Sequence, residues 1–173
     1  FCDIFCDLVK KEEADYLCEV DADDLLVNTF IQKMVCFLET NQLDIAFCDI
    51  ESLYDTIRSK FYDDSDYTPQ GRLRWDSQRY RRKVESVARL IDSMALPVVA
   101  LWGVENEQVV RDVVMATEGD YAYVHRTHDG SDGLDFALLY YGDRFFPERI
   151  TPWRGALCIE GESDGVDVAI IIN

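Results

Sequence analysis

Apolar and polar positions follow one another along this chain in a pattern that changes character along its length. Residues 16–20 read as a short strand, closed by the acidic run Asp21-Ala22-Asp23-Asp24. Leu26, Phe30, Met34 and Phe37 then recur at helical spacing, with Ile31, Val35 and Leu38 beside them, which predicts a helix. Asp23 or Asp24 is placed to cap it. Leu43, Ile45 and Phe47 alternate with polar or small residues, the pattern of a half-buried strand. Residues 55–75 are polar, rich in aspartate and carry Pro69 and Gly71, which predicts a long loop of the functional or mobile kind.

The clearest helix comes next. Tyr80, Val84, Val87, Ala88, Ile91, Met94 and Ala95 form one stripe, with Asp76 or Ser77 as cap and Pro97 as terminator. Residues 98–102 are wholly apolar and suit a central strand covered on both faces. A second helix is expected over residues 105–117, with Val109, Val110, Val113 and Val114 inward. Strands without helices follow at 121–125, 134–141, 156–160 and 166–172, joined by Gly- and Asp-rich turns. The order predicts an α/β fold, a layered mixed β-sheet flanked by helices. There is no internal repeat. The chain opens on Phe1 and its most apolar strand runs to the terminal Asn173, so the sequence reads as a fragment of a longer protein.

Composition narrows the classes. At 173 residues, 48% apolar and 29% charged, the chain has room for one globular domain or pieces of two. No apolar run approaches a membrane span, so no membrane partner is expected. The chain is acidic, and its net charge of −17 argues against a general nucleic-acid-coating protein. Seven of the 17 basic residues (Arg72, Arg74, Arg79, Arg81, Arg82, Lys83 and Arg89) nonetheless crowd one stretch, as a solvated helix face or a phosphate-binding one. The six cysteines form no C-x-x-C pair and several have apolar neighbours. Buried thiols in a reducing compartment such as the cytoplasm are the simpler reading; disulfides or zinc are the alternative.

Three stretches together resemble the endonuclease/exonuclease/phosphatase superfamily, in its bacterial branch. Residues 43–56, Leu-Asp-Ile-Ala-Phe-Cys-Asp-Ile-Glu-Ser-Leu-Tyr-Asp-Thr, are similar to its opening strand and N-V-E-N-L-F-D-T signature. Residues 96–106 resemble the strand that reads G-L-Q-E-V-E-N, and residues 132–140 resemble R-G-I-D-V-A-L-L-Y. The resemblance implies part of a phosphoesterase-type α-β-β-α sandwich over residues 43–173. It further implies a hydrolase, a nuclease or phosphodiesterase, acting on phosphate esters or nucleic acid with Mg²⁺ or Mn²⁺. Asp49 stands where the family has a catalytic Asn, and Gly103 where it has its metal-binding Glu. Asn173 matches the Asn of an N-H-W motif, and Asp132 replaces an Arg. Asn106 and Asp135, within matched motifs, would contact substrate. Glu105 would face the same side as Gly103 if the backbone stays extended, and so replace the lost ligand beside Asp49; otherwise it is an N-cap or first-turn carboxylate of the next helix. His125 and His128 are either a metal pair or two surface histidines near a turn. With the metal-binding Glu replaced, the expected enzyme is inactive as it stands.

Residues 14–51 resemble a different family, the D-x-D-D segment of family 2 glycosyltransferases. There the aspartates, here Asp21 and Asp23, would hold a divalent cation against a sugar nucleotide. Otherwise they form a helix-capping turn. The expected organisation is thus a glycosyltransferase-like strand–helix segment over 1–42 and a phosphoesterase-like domain over 43–173. A non-enzymatic interaction module is the remaining reading.

Overall fold

The computed structural model describes residues 18–22, 30–38, 44–127, 132–153, 156–163 and 165–172. Strands β1 (Cys18–Ala22), β2 (Phe30–Leu38), β3 (Asp44–Leu53), β4 (Val98–Val104), β5 (Tyr121–Arg126) and β6 (Asp135–Tyr141) form one sheet, in the order β1-β2-β3-β4-β6-β5. Only the β3–β4 pair is parallel; the other pairs are antiparallel. Strands β7 (Phe146–Trp153), β8 (Ala156–Ser163) and β9 (Val166–Ile172) form an antiparallel three-stranded sheet. Helices α1 (Ser77–Met94) and α2 (Glu107–Ala116) complete the described elements, with a short 3-10 turn at Ser65–Tyr67.

Two apolar cores fix the layering. Ala46, Cys48, Ile50, Val99, Leu101, Ala137 and Leu139 of the large sheet pack against Val84, Val87 and Ile91 of α1 and Val109, Val110 and Val113 of α2. On the opposite face, Val98, Ala100, Val124, Phe136 and Leu138 meet Phe145 and, from the small sheet, Leu157, Ile159, Ile170 and Ile172. The layers therefore run helices, large sheet, small sheet. Strand β4 is apolar at successive positions because it serves both cores at once.

Helix α1 begins where Asp76 accepts from the backbone N–H groups of Gln78 (3.0 Å) and Arg79 (2.9 Å), satisfying two of its orphan donors. It ends at Ala95, which takes the left-handed conformation (φ 51°) two residues before Pro97. Helix α2 is capped by Asn106, whose Oδ1 accepts from Val109 N at 3.0 Å.

Two elements depart from the sequence pattern. The helix expected through Phe30, Met34 and Phe37 is strand β2, so the strand–helix segment expected within residues 1–42 is an antiparallel strand pair. Its β-branched and aromatic residues suit either period, and pairing β2 with β3 (Val35 opposite Phe47, Phe37 opposite Ile45) covers an otherwise open edge of the sheet. The second is β7, which carries Pro147 and Pro152 and so does not read as a strand. It lies at the edge of the small sheet, with a register shift between Pro147 and Arg149, and edges and bulges are where strands tolerate proline. Cys48 and Cys158 are thiols rather than disulfides; the side chains of the other four cysteines lie outside the described residues. Among the described residues no helix is long and apolar enough to cross a membrane.

Candidate functional site

The motif-bearing residues gather at one end of the large sheet, where β3 and β4 finish, β6 starts and β5 finishes. The strands are irregular there. β3 slips register against β4 between Asp49 and Leu53, because Glu51 (φ 45°) and Ser52 (φ 54°) are both left-handed. Opposite them Gly103 takes φ 96°, open to glycine at little cost. A Cβ built on Gly103 would lie 3.1 Å from Ser52 N, 3.4 Å from Glu51 N and 3.7 Å from Asp49 Oδ1. Asp49 Oδ1 already accepts from Glu51 N at 3.0 Å. Gly103 and Asp49 are thus neighbours, and the aspartate is held by one N–H of the bulge, that of Glu51.

Behind the bulge stands Lys83, reaching inward from α1. Its ammonium donates to the carbonyl of Glu51 and to that of Ser52 (3.1 Å for the latter). Burial pushes the ammonium down to about 8, against the pull of the Glu51 and Asp49 carboxylates. Lys83 was legible only as part of a basic run. The overlooked signal is its spacing, three after Tyr80 and four before Val87, which sets it on the flank of the buried stripe.

Glu105 is not the cap of α2; Asn106 is. Glu105 is only 4% exposed and turns toward the loop that follows β3. Its Oε2 accepts from Asp55 N (2.5 Å) and its Oε1 from the Tyr62 hydroxyl (2.8 Å). Burial raises its carboxyl to about 7; those two hydrogen bonds oppose the rise, and Asp55 and Asp64 add to it. Asn106 Nδ2 donates to Asp55 Oδ2 at 3.1 Å, so both halves of the Glu105-Asn106 pair hold Asp55. Asp64, 3% exposed, accepts from Ser59 N with both oxygens (3.1 and 2.9 Å). Two buried carboxylates therefore tie down residues 55–64. Sequence reasoning missed Asp55, Tyr62 and Asp64 in this role, because a polar, Asp-rich stretch reads the same whether fixed or loose.

Asp135 is 2% exposed, and its Oδ2 meets His125 Nε2 at 2.9 Å. His125 is therefore a paired, largely covered histidine rather than a surface one; His128 lies outside the described residues. Register places this pair on the helix side of the sheet. His125 sits opposite Ala137, itself opposite Leu101, and both belong to the helix-side core. Asp49 sits opposite Trp102, and Trp102 opposite Phe136, with their rings 4.4 Å apart on the small-sheet side. Asp49 and Asp135 share a sheet end but not a face. The substituted Asp132 is exposed; its carbonyl accepts from the Tyr54 hydroxyl at 2.7 Å.

These residues do not fit a divalent-cation centre. Gly103 contributes no ligand, Asp49 is bonded to the bulge, Glu105 is turned to its loop, and among the described residues no three His, Cys, Asp or Glu side chains converge on one point. Of the second acidic motif, Asp21 lies in β1 opposite Ile31 of β2, and Asp23 lies outside the described residues, as does Asn173. The element after those aspartates is β2 rather than a helix. A groove of about 360 Å³ between α1 and α2, lined by Tyr80, Arg81, Val84, Asp112 and Met115, includes none of the sheet-end residues.

The structure is similar to a functionally unknown conserved protein from Enterococcus faecalis, with a TM-score of 0.45 and 16% identity over 73% of this chain and 50% of that one. It is also similar to TDP2 from C. elegans, with a TM-score of 0.42 and 14% identity over 56% of this chain and 31% of that one. The chain thus spans about half the length of the first relative and under a third of the second. A search of curated proteins finds no match. The description Endonuclease/Exonuclease/phosphatase family matches residues 44–171, from the start of β3 almost to the end of β9. The chain belongs to the endonuclease/exonuclease/phosphatase family.

Proposed function

We propose that this chain is a phosphoester-binding domain of phosphoesterase or nuclease descent that no longer turns its ligand over with a divalent cation. One observation carries the reading: Gly103 and Asp49 stand side by side at the end of the parallel strand pair, and no carboxylate is presented between them. Metal-assisted hydrolysis needs a cation to polarise the phosphoryl oxygen and lower the pKa of water, and loss of its ligand removes both effects. What remains at the sheet end is the Ser52 N–H, beside a Glu51 N–H already given to Asp49, with the Lys83 ammonium behind the bulge.

The test uses purified protein with Mg²⁺ or Mn²⁺. Expected is calorimetric binding of diphenyl phosphate, with no hydrolysis of phosphodiesters, DNA or RNA above buffer. Metal-dependent hydrolysis that disappears in Asp49→Ala would remove the claim of lost turnover. Absence of diphenyl phosphate binding would remove the claim of phosphoester recognition.

A further inference from the structure

The two most exposed large apolar side chains among those described are Phe61, at 93%, and Met115, at 78%. Single exposed apolar residues are ordinary; these two are set apart by what surrounds them. Phe61 stands on a pinned loop. Its own N–H donates to Ser59 Oγ at 3.1 Å, Ser59 N donates to Asp64, and the neighbouring Tyr62 hydroxyl donates to Glu105 at 2.8 Å. The Tyr62 ring also lies against Gly133, where an added Cβ would collide with it. A bare ring on a fixed backbone loses little further freedom when a partner buries it. Most acidic groups of the loop are engaged elsewhere: Asp55 with Asn106, Asp64 with Ser59, and Asp66 with Arg72 at 2.8 Å. Beside the ring stand one cation, Lys60, and one anion, Asp63, both exposed and in no ion pair among the described residues. Ser65 and, more weakly, Arg58 hold the Asp63 carboxyl below its usual range.

Met115 lines the groove of about 360 Å³ between α1 and α2, with Tyr80, Val84 and Ala116. An apolar cavity of about 150 Å³ already accommodates a benzene-sized ring, so a phenylalanine side chain fits here with room to spare. Asp112, also in the groove, is occupied by the Tyr80 hydroxyl (2.6 Å) and Gln108 Nε2 (2.8 Å). Arg81 and Glu85, one helical turn apart on α1, line it too; both are exposed and in no ion pair among the described residues. The loop therefore offers a ring flanked by one charge of each sign, and the groove an apolar slot flanked likewise.

We propose that this chain binds a second copy of itself, Phe61 of each entering the α1–α2 groove of the other, with Lys60 meeting Glu85 and Asp63 meeting Arg81. Loop and groove share an anchor: Asn106, which caps α2, also holds Asp55 at the base of the loop. The exchange is therefore reciprocal about a two-fold axis, which closes as a dimer. Each copy carries −17, a repulsion that physiological salt screens beyond about 8 Å. This surface is independent of the phosphoester reading above.

Sedimentation velocity of the full chain at physiological salt, from micromolar to millimolar concentration, reads the association. Expected is a reversible monomer–dimer equilibrium that Phe61→Ala and Met115→Glu each weaken by about 30-fold or more. An equimolar mixture of these two variants restores one intact ring and one intact groove, so it should dimerise more tightly than either alone. Asp63→Lys and Arg81→Glu combined in one chain should recover affinity that each reversal alone loses. These side chains are exposed, and complementation by mixing requires that both variants fold. A dimer indifferent to Phe61→Ala overturns the proposal, as does a mixture no tighter than its components. A chain that stays monomeric throughout the range also overturns it; if Met115→Glu then abolishes binding of the dye anilinonaphthalene sulfonate, the groove belongs to a small apolar ligand instead.

Discussion

Lys83 and Glu51 hold each other across two layers: the ammonium of a helix residue caps the carbonyl of a left-handed strand residue, and the next carbonyl, of Ser52, as well. Left-handed backbone at two consecutive non-glycine residues is costly, on the order of 1–3 kcal/mol each, and persists only when its surroundings over-determine it. Lys83 supplies that determination. Replacing it with Met keeps the stem but strips both carbonyls of their donor. Urea denaturation is expected to show a loss of about 1–3 kcal/mol. An unchanged midpoint would mean the bulge stands without the lysine.

The same residue sets a response to alkali. Its folded pKa of about 8 lies below the ordinary 10.5. The unfolded chain therefore binds more protons between those values, and stability rises with pH across that window. Stability attributable to Lys83 is present above 10.5 and is lost as pH falls through about 8. The Lys83→Met variant should lack this rise when urea midpoints are compared from neutral to alkaline pH.

Glu105 acts in the opposite sense. Its carboxyl is raised from 4.5 to about 7, so the folded state holds the proton more tightly than the unfolded chain does. Its contribution is full below 4.5 and is lost as pH rises through about 7. The full span amounts to roughly 3 kcal/mol. In Glu105→Gln the fall in stability between these two pH values should flatten, while hydrogen exchange at the Asp55 amide accelerates because one acceptor is gone. An identical pH profile in wild type and variant would show that Glu105 does not carry the shift.

Gly103 is closed to a side chain by its backbone as much as by its neighbours. At φ 96°, with Ser52 N 3.1 Å from an added Cβ, Gly103→Ala is expected to cost about 1–3 kcal/mol in chemical denaturation. Gly103→Glu should cost at least as much and gain no Mn²⁺ binding by calorimetry, because restoring a carboxylate does not restore a normal β4 backbone. A Gly103→Ala variant as stable as wild type would contradict this.

The centre between the sheets is Phe145, wholly buried and packed with residues of both. Phe145→Ala should destabilise by about 3–5 kcal/mol, enough to consume much of a domain's margin, with the loss read from the thermal midpoint.

Most of this architecture could be read from the chain, and for identifiable reasons. The α1 stripe from Tyr80 to Met94, its Asp76 cap and the all-apolar β4 each carry one dominant signal, so sequence and structure agree. β2 failed because a run as apolar as Phe-Ile-Gln-Lys-Met-Val-Cys-Phe-Leu satisfies both periods, and only the exposed edge of β3 decides between them. β7 failed because its prolines forbid an interior strand and the edge position that excuses them is a property of the assembled sheet. At the candidate site, the replacement of a carboxylate by Gly103 was visible in sequence. The turning of Glu105 toward Tyr62, and the division of Asp49 and Asp135 between two faces, depend on a bulge that no single residue announces.

The prolines of β7 have a consequence for how this protein meets other chains. A strand edge is a template on which a foreign strand can hydrogen-bond, and it recruits by offering N–H groups in register. Pro147 and Pro152 have none to offer, and the register shift beside Pro147 bends what remains out of line. That margin of the small sheet is therefore insulated against templated growth, the route by which exposed β-edges seed aggregates.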